Sequence, residues 1–145
     1  MQNRELSNLY EDIAEDILGA LVFDSSNEDN VNQLLFFSML ENAVSCLADD
    51  IIDSLKASNI EISNLNSVHK WISLKQFQSL KNIIEQEFKD DGFFYLFEDA
   101  KNKLFKVVEV NLILSNEANS LKKFNLILNK YKTFKDLLRK VLDEC

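Results

Sequence analysis

Apolar residues recur at intervals of three and four along most of the chain, which is the spacing of amphipathic α-helices. The first such segment runs from about Glu5 to Val22. On a helical wheel its apolar stripe consists of Leu6, Leu9, Tyr10, Ile13, Ile17 and Leu21. The opposite side carries Glu5, Glu11, Asp12, Glu15 and Asp16. We therefore predict that this helix packs through the apolar stripe and turns its carboxylates to water.

A polar loop from Asp24 to Asn30 separates this helix from a second one that reaches about Ala57. Ser26 stands three residues before Asp29, which is the spacing of a helix-capping pair. The stretch from Val31 to Leu40 is apolar on nearly every side. The second helix is therefore expected to be the central and most buried one.

Residues 58–67 are rich in serine and asparagine and predict a linker. A third helix follows, because Ser73 and Gln76 have capping-box spacing and apolar residues recur behind them. We expect this helix to end near Asp90. Gly92 is placed to adopt the left-handed conformation that closes helices.

Residues 93–114 fit two kinds of structure. Their apolar residues recur at helical intervals, whereas the alternation from Phe105 to Ile113 also fits a β-hairpin. We favour the helix. The last segment, residues 116–144, has helical spacing throughout. It predicts one long helix or two short ones, since Thr133 and Asp136 can cap a fresh start.

The composition supports helices joined by short loops. The chain has 145 residues, 46% of them hydrophobic, with no proline and only two glycines, so the residues that mark many tight turns are missing. We predict one all-α domain over residues 1–145, a bundle of four to six helices, with a sub-structure boundary near residues 58–67. The alternative is an α+β fold with a β-hairpin within residues 93–114.

Charge divides the chain unevenly. The first 66 residues hold 13 of the 24 acidic residues beside only two basic ones, Arg4 and Lys56, which gives a net charge of −11. The remaining residues have a net charge of +3. An acidic surface repels nucleic acid and anionic membranes and attracts basic proteins. We therefore expect a protein partner and neither nucleic acid nor membrane.

The chain has no feature of an exported or membrane-spanning protein. Acidic residues occupy the N-terminal region where a signal peptide needs a basic start and an apolar stretch. The longest uncharged run, Asn30 to Leu40, is far shorter than the roughly 20 residues that span a bilayer. Cys46 and Cys145 are too few for a disulfide framework. We predict a cytoplasmic protein with reduced thiols.

Two acidic pairs suggest an enzymatic alternative. Asp12 and Glu15 stand three residues apart on the first helix, and Asp50 and Asp53 stand three apart on the second. They resemble a shortened version of the paired acidic motifs of the all-α nucleotide pyrophosphatases. The resemblance implies a magnesium ion held between two helices, with Lys56 as a phosphate contact.

Other candidate residues give no chemical signature. His69 is the only histidine and lacks the companions of a zinc site or a catalytic triad. Trp71 is expected in the core, although tryptophan also anchors interfaces. The aromatic cluster Phe93-Phe94-Tyr95-Phe97 cannot all face inward from one helix. The main hypothesis therefore includes no catalytic residue, no cofactor and no metal.

That hypothesis is an acidic protein-binding module. In its most concrete form it is an immunity or antitoxin-like inhibitor that neutralises a basic partner such as a nuclease toxin, because an acidic surface speeds capture of a cationic partner. The candidate partner-binding residues are Glu11, Asp12, Glu15, Asp16, Asp49, Asp50 and Asp53. A third possibility is a structural or adaptor subunit that forms homo-oligomers by pairing its acidic and basic halves.

Overall fold

The computed structural model of the chain describes residues 2–55, 65–110 and 120–143. These residues form six α-helices and no β-strand. The helices are α1 (Asn3–Ala20), α2 (Asn27–Leu55), α3 (Ser67–Leu74), α4 (Gln78–Phe88), α5 (Phe93–Val110) and α6 (Leu121–Asp143). The predicted all-α bundle is confirmed over the described residues. Most of the predicted linker, residues 58–64, lies outside them.

The second helix holds the bundle together. α2 contacts α1, α3, α5 and α6, and ten of its residues are buried. Its predicted cap is present, because the Ser26 hydroxyl accepts a hydrogen bond of 3.1 Å from the Asp29 backbone N–H. The Asp29 carboxylate does not return to Ser26 as in a capping box. It accepts from the backbone N–H groups of Val22 and Phe23 instead.

The predicted third helix is wrong at its beginning. Asn66, not Ser73, is the N-cap, and its side chain accepts from the His69 backbone N–H to start α3. The Gln76 side chain donates to the Ser73 carbonyl, so this pair lies at the C-terminal end of α3. Phe77 then adopts an extended conformation and begins α4. The spacing of Ser73 and Gln76 therefore marks the end of a helix and not the beginning of one.

The predicted role of Gly92 is also wrong. The left-handed residue after α4 is Asp91, with φ of 67°, and Gly92 does not have a positive φ. Gly92 is needed for another reason. A Cβ atom there would lie 2.4 Å from the Glu87 carbonyl oxygen, closer than non-bonded atoms approach. Glycine therefore allows the chain to pass tightly over the end of α4 into α5.

The ambiguous segment is helical. α5 spans Phe93–Val110, so the β-hairpin alternative is wrong for these residues, and residues 111–114 of that alternative lie outside the described part. Phe93, Phe94 and Phe97 are buried while Tyr95 is exposed, so only part of the aromatic cluster faces inward. Within the last segment, one continuous helix, α6, spans Leu121–Asp143, and residues 116–119 and 144 lie outside the described part.

All six helices contribute to one hydrophobic core. Its centre is aromatic. Phe124 of α6 packs against Phe36 and Phe37 of α2, with ring centroids 4.9 and 5.1 Å apart. Trp71 of α3 is fully buried and contacts the ring of Phe134 at 5.0 Å, as the core prediction expected.

Candidate functional site

The candidate acidic residues lie on a hairpin formed by α1 and α2. At its closed end, the Asp29 carboxylate accepts hydrogen bonds of 2.8 and 3.1 Å from the backbone of Val22 and Phe23. At its open end, the Asn3 side chain donates to the Asp53 carboxylate at 3.0 Å. These contacts make the two helices antiparallel along their full length.

α1 buries only part of the side that its sequence predicts: Leu21 is buried, and Tyr10 and Ile17 pack against the hydrophobic core. Its buried residues are Ser7, Glu11, Ala14 and Leu18. Two of these are small, and the Ser7 hydroxyl donates to the Ala43 carbonyl at 2.8 Å. Small side chains allow α1 to approach α2 closely, which favours this orientation over one that buries larger residues. As a result, Leu9 is exposed, and Leu6 and Ile13 are only half-buried.

The prediction that Glu11 faces water is therefore wrong. Its side chain is 10% exposed and accepts a hydrogen bond of 2.7 Å from the Lys135 ammonium of α6, which is equally buried. The same ammonium lies 6.0 Å from the centre of the Tyr131 ring. A carboxylate is buried only when a partner offsets the loss of its hydration, and Lys135 provides that partner.

Three more polar contacts continue this pairing of α1 with α6. Glu15 forms an ion pair of 2.9 Å with Lys132, at a more exposed position. The Arg139 Nη2 donates to Asn8 at 3.4 Å. The hydroxyls of Ser7 and Tyr131 lie 3.3 Å apart. We call these four pairs, including Glu11 with Lys135, the α1–α6 seam.

Asp49 forms an ion pair with a different helix, α3. Its carboxylate forms an ion pair of 2.9 Å with Lys70 of α3, whose side chain is only 5% exposed. The Lys70 ammonium also donates to the Ser45 hydroxyl at 2.8 Å. Sequence reasoning missed Lys70. The available signal was a lysine beside Trp71, within a short and otherwise mostly apolar helix.

Asp50 lies at the open end of the hairpin. It lines a cavity of about 190 Å³ together with both arginines of the chain, Arg4 and Arg139. Burial raises the pKa of the Asp50 carboxyl, and this effect exceeds the opposite influence of the two arginines. Asp53, about one turn further along α2, is exposed.

Asp12 and Asp16 remain on the solvent side of α1. Both are exposed, and no ion pair among the described residues involves either one. They lie nine and thirteen residues from Asn3 along α1, which places them roughly 15–20 Å from the Asp53 end of the hairpin. The seven predicted residues therefore do not form one cluster.

The two acidic motifs of the enzymatic alternative are also apart. Asp12 and Glu15 lie in the middle of the hairpin, whereas Asp50 and Asp53 lie at its open end. Within residues 2–55, 65–110 and 120–143, no group of three or more acidic, histidine or cysteine side chains could hold a metal ion. The predicted phosphate contact, Lys56, lies outside these residues.

Comparison with protein families, curated proteins and solved structures gave no match to this chain. The site is therefore described by its own geometry. None of the helices described here is both long and apolar enough to cross a membrane.

Proposed function

We propose that the protein binds a basic protein partner through the solvent side of the α1–α2 hairpin, and that it acts as an immunity or antitoxin-like inhibitor. The observation that carries the proposal is the state of Asp12 and Asp16. Both carboxylates are exposed and form no ion pair with any residue that the structure describes, while their neighbours Glu11 and Glu15 are paired with lysines of α6.

Ion pairs within the chain reduce the number of carboxylates that can attract a partner. Four carboxylates of α1 and α2 form ion pairs with lysines from the later helices: Glu11, Glu15, Glu41 and Asp49. Their charge is already offset within the chain. We therefore assign long-range attraction to the exposed carboxylates that have no ion-pair partner in residues 2–55, 65–110 and 120–143, chiefly Asp12, Asp16 and Glu28.

Charge at these positions suits an inhibitor of an enzyme that acts on nucleic acid. The active sites of nucleases bind a polyanion, so an anionic surface is complementary to them and speeds association. Between Gln2 and Leu55, Arg4 is the only basic residue. A cationic partner therefore meets almost no repulsion from this hairpin.

Copurification from the native cells identifies the partner, and binding of the two purified proteins tests the proposal. We expect Asp12→Lys with Asp16→Lys to weaken binding at least tenfold at low salt, because two attractive charges become repulsive. The difference from the unsubstituted protein should shrink at high salt, where charges are screened. If the partner is a nuclease, the same variant should lose inhibition.

A matched control variant carries Asp90→Lys and Asp136→Lys. Both aspartates are also exposed, but they lie outside the α1–α2 hairpin. This variant has the same net charge as the first one. Equal loss of binding in both variants would show that only net charge matters and would refute a specific surface. Binding that does not depend on salt would refute the proposal altogether.

A further inference from the structure

The apolar stripe of α1 is covered at Tyr10, Ile17 and Leu21 but is open to solvent along its outer edge. Leu9 is 43% exposed, and Leu6 and Ile13 are half-buried but do not belong to the hydrophobic core. The cause is the orientation of α1, which buries Ser7, Glu11 and other residues of a different side. Apolar side chains that remain partly open to solvent along one edge of a helix are a candidate interface.

α2 extends this stripe. Val31 and Leu35 are 54% and 44% exposed. Because Ser7 contacts Ala43 and Val22 contacts Asp29, the middle of α1 lies level with residues 35–39 of α2. On helical wheels drawn for this antiparallel arrangement, the exposed apolar residues of both helices fall on the same side of the hairpin.

Carboxylates border this apolar face. Glu5, Asp12 and Asp16 follow its outer edge on α1, and Glu28 lies near its end on α2. All four are exposed, and none forms an ion pair among the described residues. A second copy of the chain docked face to face would bring like charges together. The charge pattern therefore favours a partner that is both apolar and cationic.

We propose that this face binds a basic amphipathic helix of the partner. The face consists of Leu6, Leu9, Ile13, Val31 and Leu35 with its border of carboxylates. The inference rests on the proposed function and adds the form of the partner's binding element: apolar residues spaced at three and four, flanked by lysine or arginine. The apolar contacts hold the helix, and the carboxylates attract and orient it.

The test uses a fluorescently labelled 18-residue helical peptide of leucine and lysine, with binding followed by anisotropy at 150 mM salt. The variant carries Leu9→Gln, Ile13→Gln and Leu35→Gln, which remove apolar contacts without changing charge. We expect about tenfold weaker binding, since several anchoring contacts are lost together. A control variant carries Ile72→Gln, Leu126→Gln and Leu137→Gln at comparably exposed positions elsewhere. It should bind within twofold of the unsubstituted protein.

Circular dichroism and thermal unfolding establish that each variant is folded, which is expected because the substituted side chains are exposed or half-buried. Equal binding by the two variants would overturn the inference. It would also be overturned if a peptide of leucine and glutamate bound as tightly as the leucine and lysine peptide. Two other results would overturn it: a dimer in sedimentation that Ile13→Gln abolishes, or binding to phosphatidylcholine vesicles that the apolar variant loses.

One further variant, Asp12→Asn with Asp16→Asn, separates this inference from the proposed function. This acidic variant could bind the leucine and lysine peptide more weakly while the apolar variant binds it normally. That result would support the acidic surface and refute the apolar face. If the acidic variant binds normally at every salt concentration, the proposed function fails, and the requirement for a basic helix fails with it.

Discussion

Two regions of α6 stabilise the bundle in different ways. Near the beginning of the helix, Phe124 packs against the rings of α2. Further along, the residues that face α1 form the α1–α6 seam, where Lys135 and Lys132 pair with Glu11 and Glu15. Apolar burial contributes most of the folding free energy, whereas buried ion pairs contribute little net stability because desolvation offsets their attraction.

The polar contacts of the seam help to set the orientation of α1. A helix that packed only by hydrophobicity would bury Leu6, Leu9 and Ile13. Instead, the Glu11 carboxylate must meet Lys135, and the Ser7 hydroxyl must reach Ala43. Directional contacts of this kind fix a rotation that non-directional apolar packing does not specify. The cost is that Leu9, with parts of Leu6 and Ile13, is left in contact with solvent.

The largest predicted effect is on the aromatic packing around Phe124. Phe124→Ala should lower the free energy of unfolding by about 4 kcal/mol, because the substitution leaves a cavity among Phe23, Phe36 and Phe37. Phe105→Ala is the control at an exposed position and should cost far less. Urea unfolding of both variants measures the difference. Similar losses would contradict the central role given to Phe124.

The next effect breaks the seam. Lys135→Ala should cost about 3 kcal/mol, because the Glu11 carboxylate then remains buried without a cation. Lys132→Ala removes the more exposed partner of Glu15 and should cost less than about 1 kcal/mol. Replacing both Glu11 and Lys135 with leucine should restore most of the lost stability. A double variant as unstable as Lys135→Ala would show that the pair itself is strongly stabilising.

A smaller effect concerns the closed end of the hairpin. Asp29→Asn should cost about 2 kcal/mol, because an amide has one acceptor oxygen where the carboxylate accepts from Val22, Phe23 and Gln33. Glu28→Gln, its exposed neighbour, should change stability by less than about 0.5 kcal/mol. Thermal unfolding distinguishes them, and an unchanged melting temperature for Asp29→Asn would refute this assignment.

The smallest predicted effect is a gain in the free energy of unfolding. Burial raises the pKa of the Asp50 carboxyl, so folding disfavours its charged form. Its contribution to stability is greatest below the ordinary value of 3.8 and is lost as the pH rises through the raised pKa. Asp50→Asn should therefore be slightly more stable than the unsubstituted protein at pH 7 and no more stable at pH 3. Urea unfolding at both pH values measures the difference, and equal stability of the two proteins at pH 7 would contradict the prediction.

Much of the fold follows from periodicity. The helical spacing of apolar residues and the lack of proline predict an all-α bundle, and Ser26 predicts the beginning of α2. The break between α3 and α4 was not predicted, because Ser73 and Gln76 can cap either end of a helix. Only the extended conformation of Phe77 decides between these possibilities, and it depends on tertiary packing.

The site was harder to predict than the fold. A helical wheel ranks positions by hydrophobicity, so it assigned Glu11 to water and Ile13 to the core. It takes no account of small residues such as Ser7, or of a lysine 124 residues further along the chain that pairs with Glu11. Asp12 and Asp16 were predicted correctly as solvent-facing, because neither has a partner from the other helices within the described residues.

The Asp29 carboxylate has a consequence for how the molecule forms. It joins the end of α1 to the start of α2 through hydrogen bonds between residues at most seven positions apart. Closing so short a loop costs little chain entropy and is fast. We therefore expect the α1–α2 hairpin to assemble early, so that its outward face takes shape before the long-range pairing with α6 is complete.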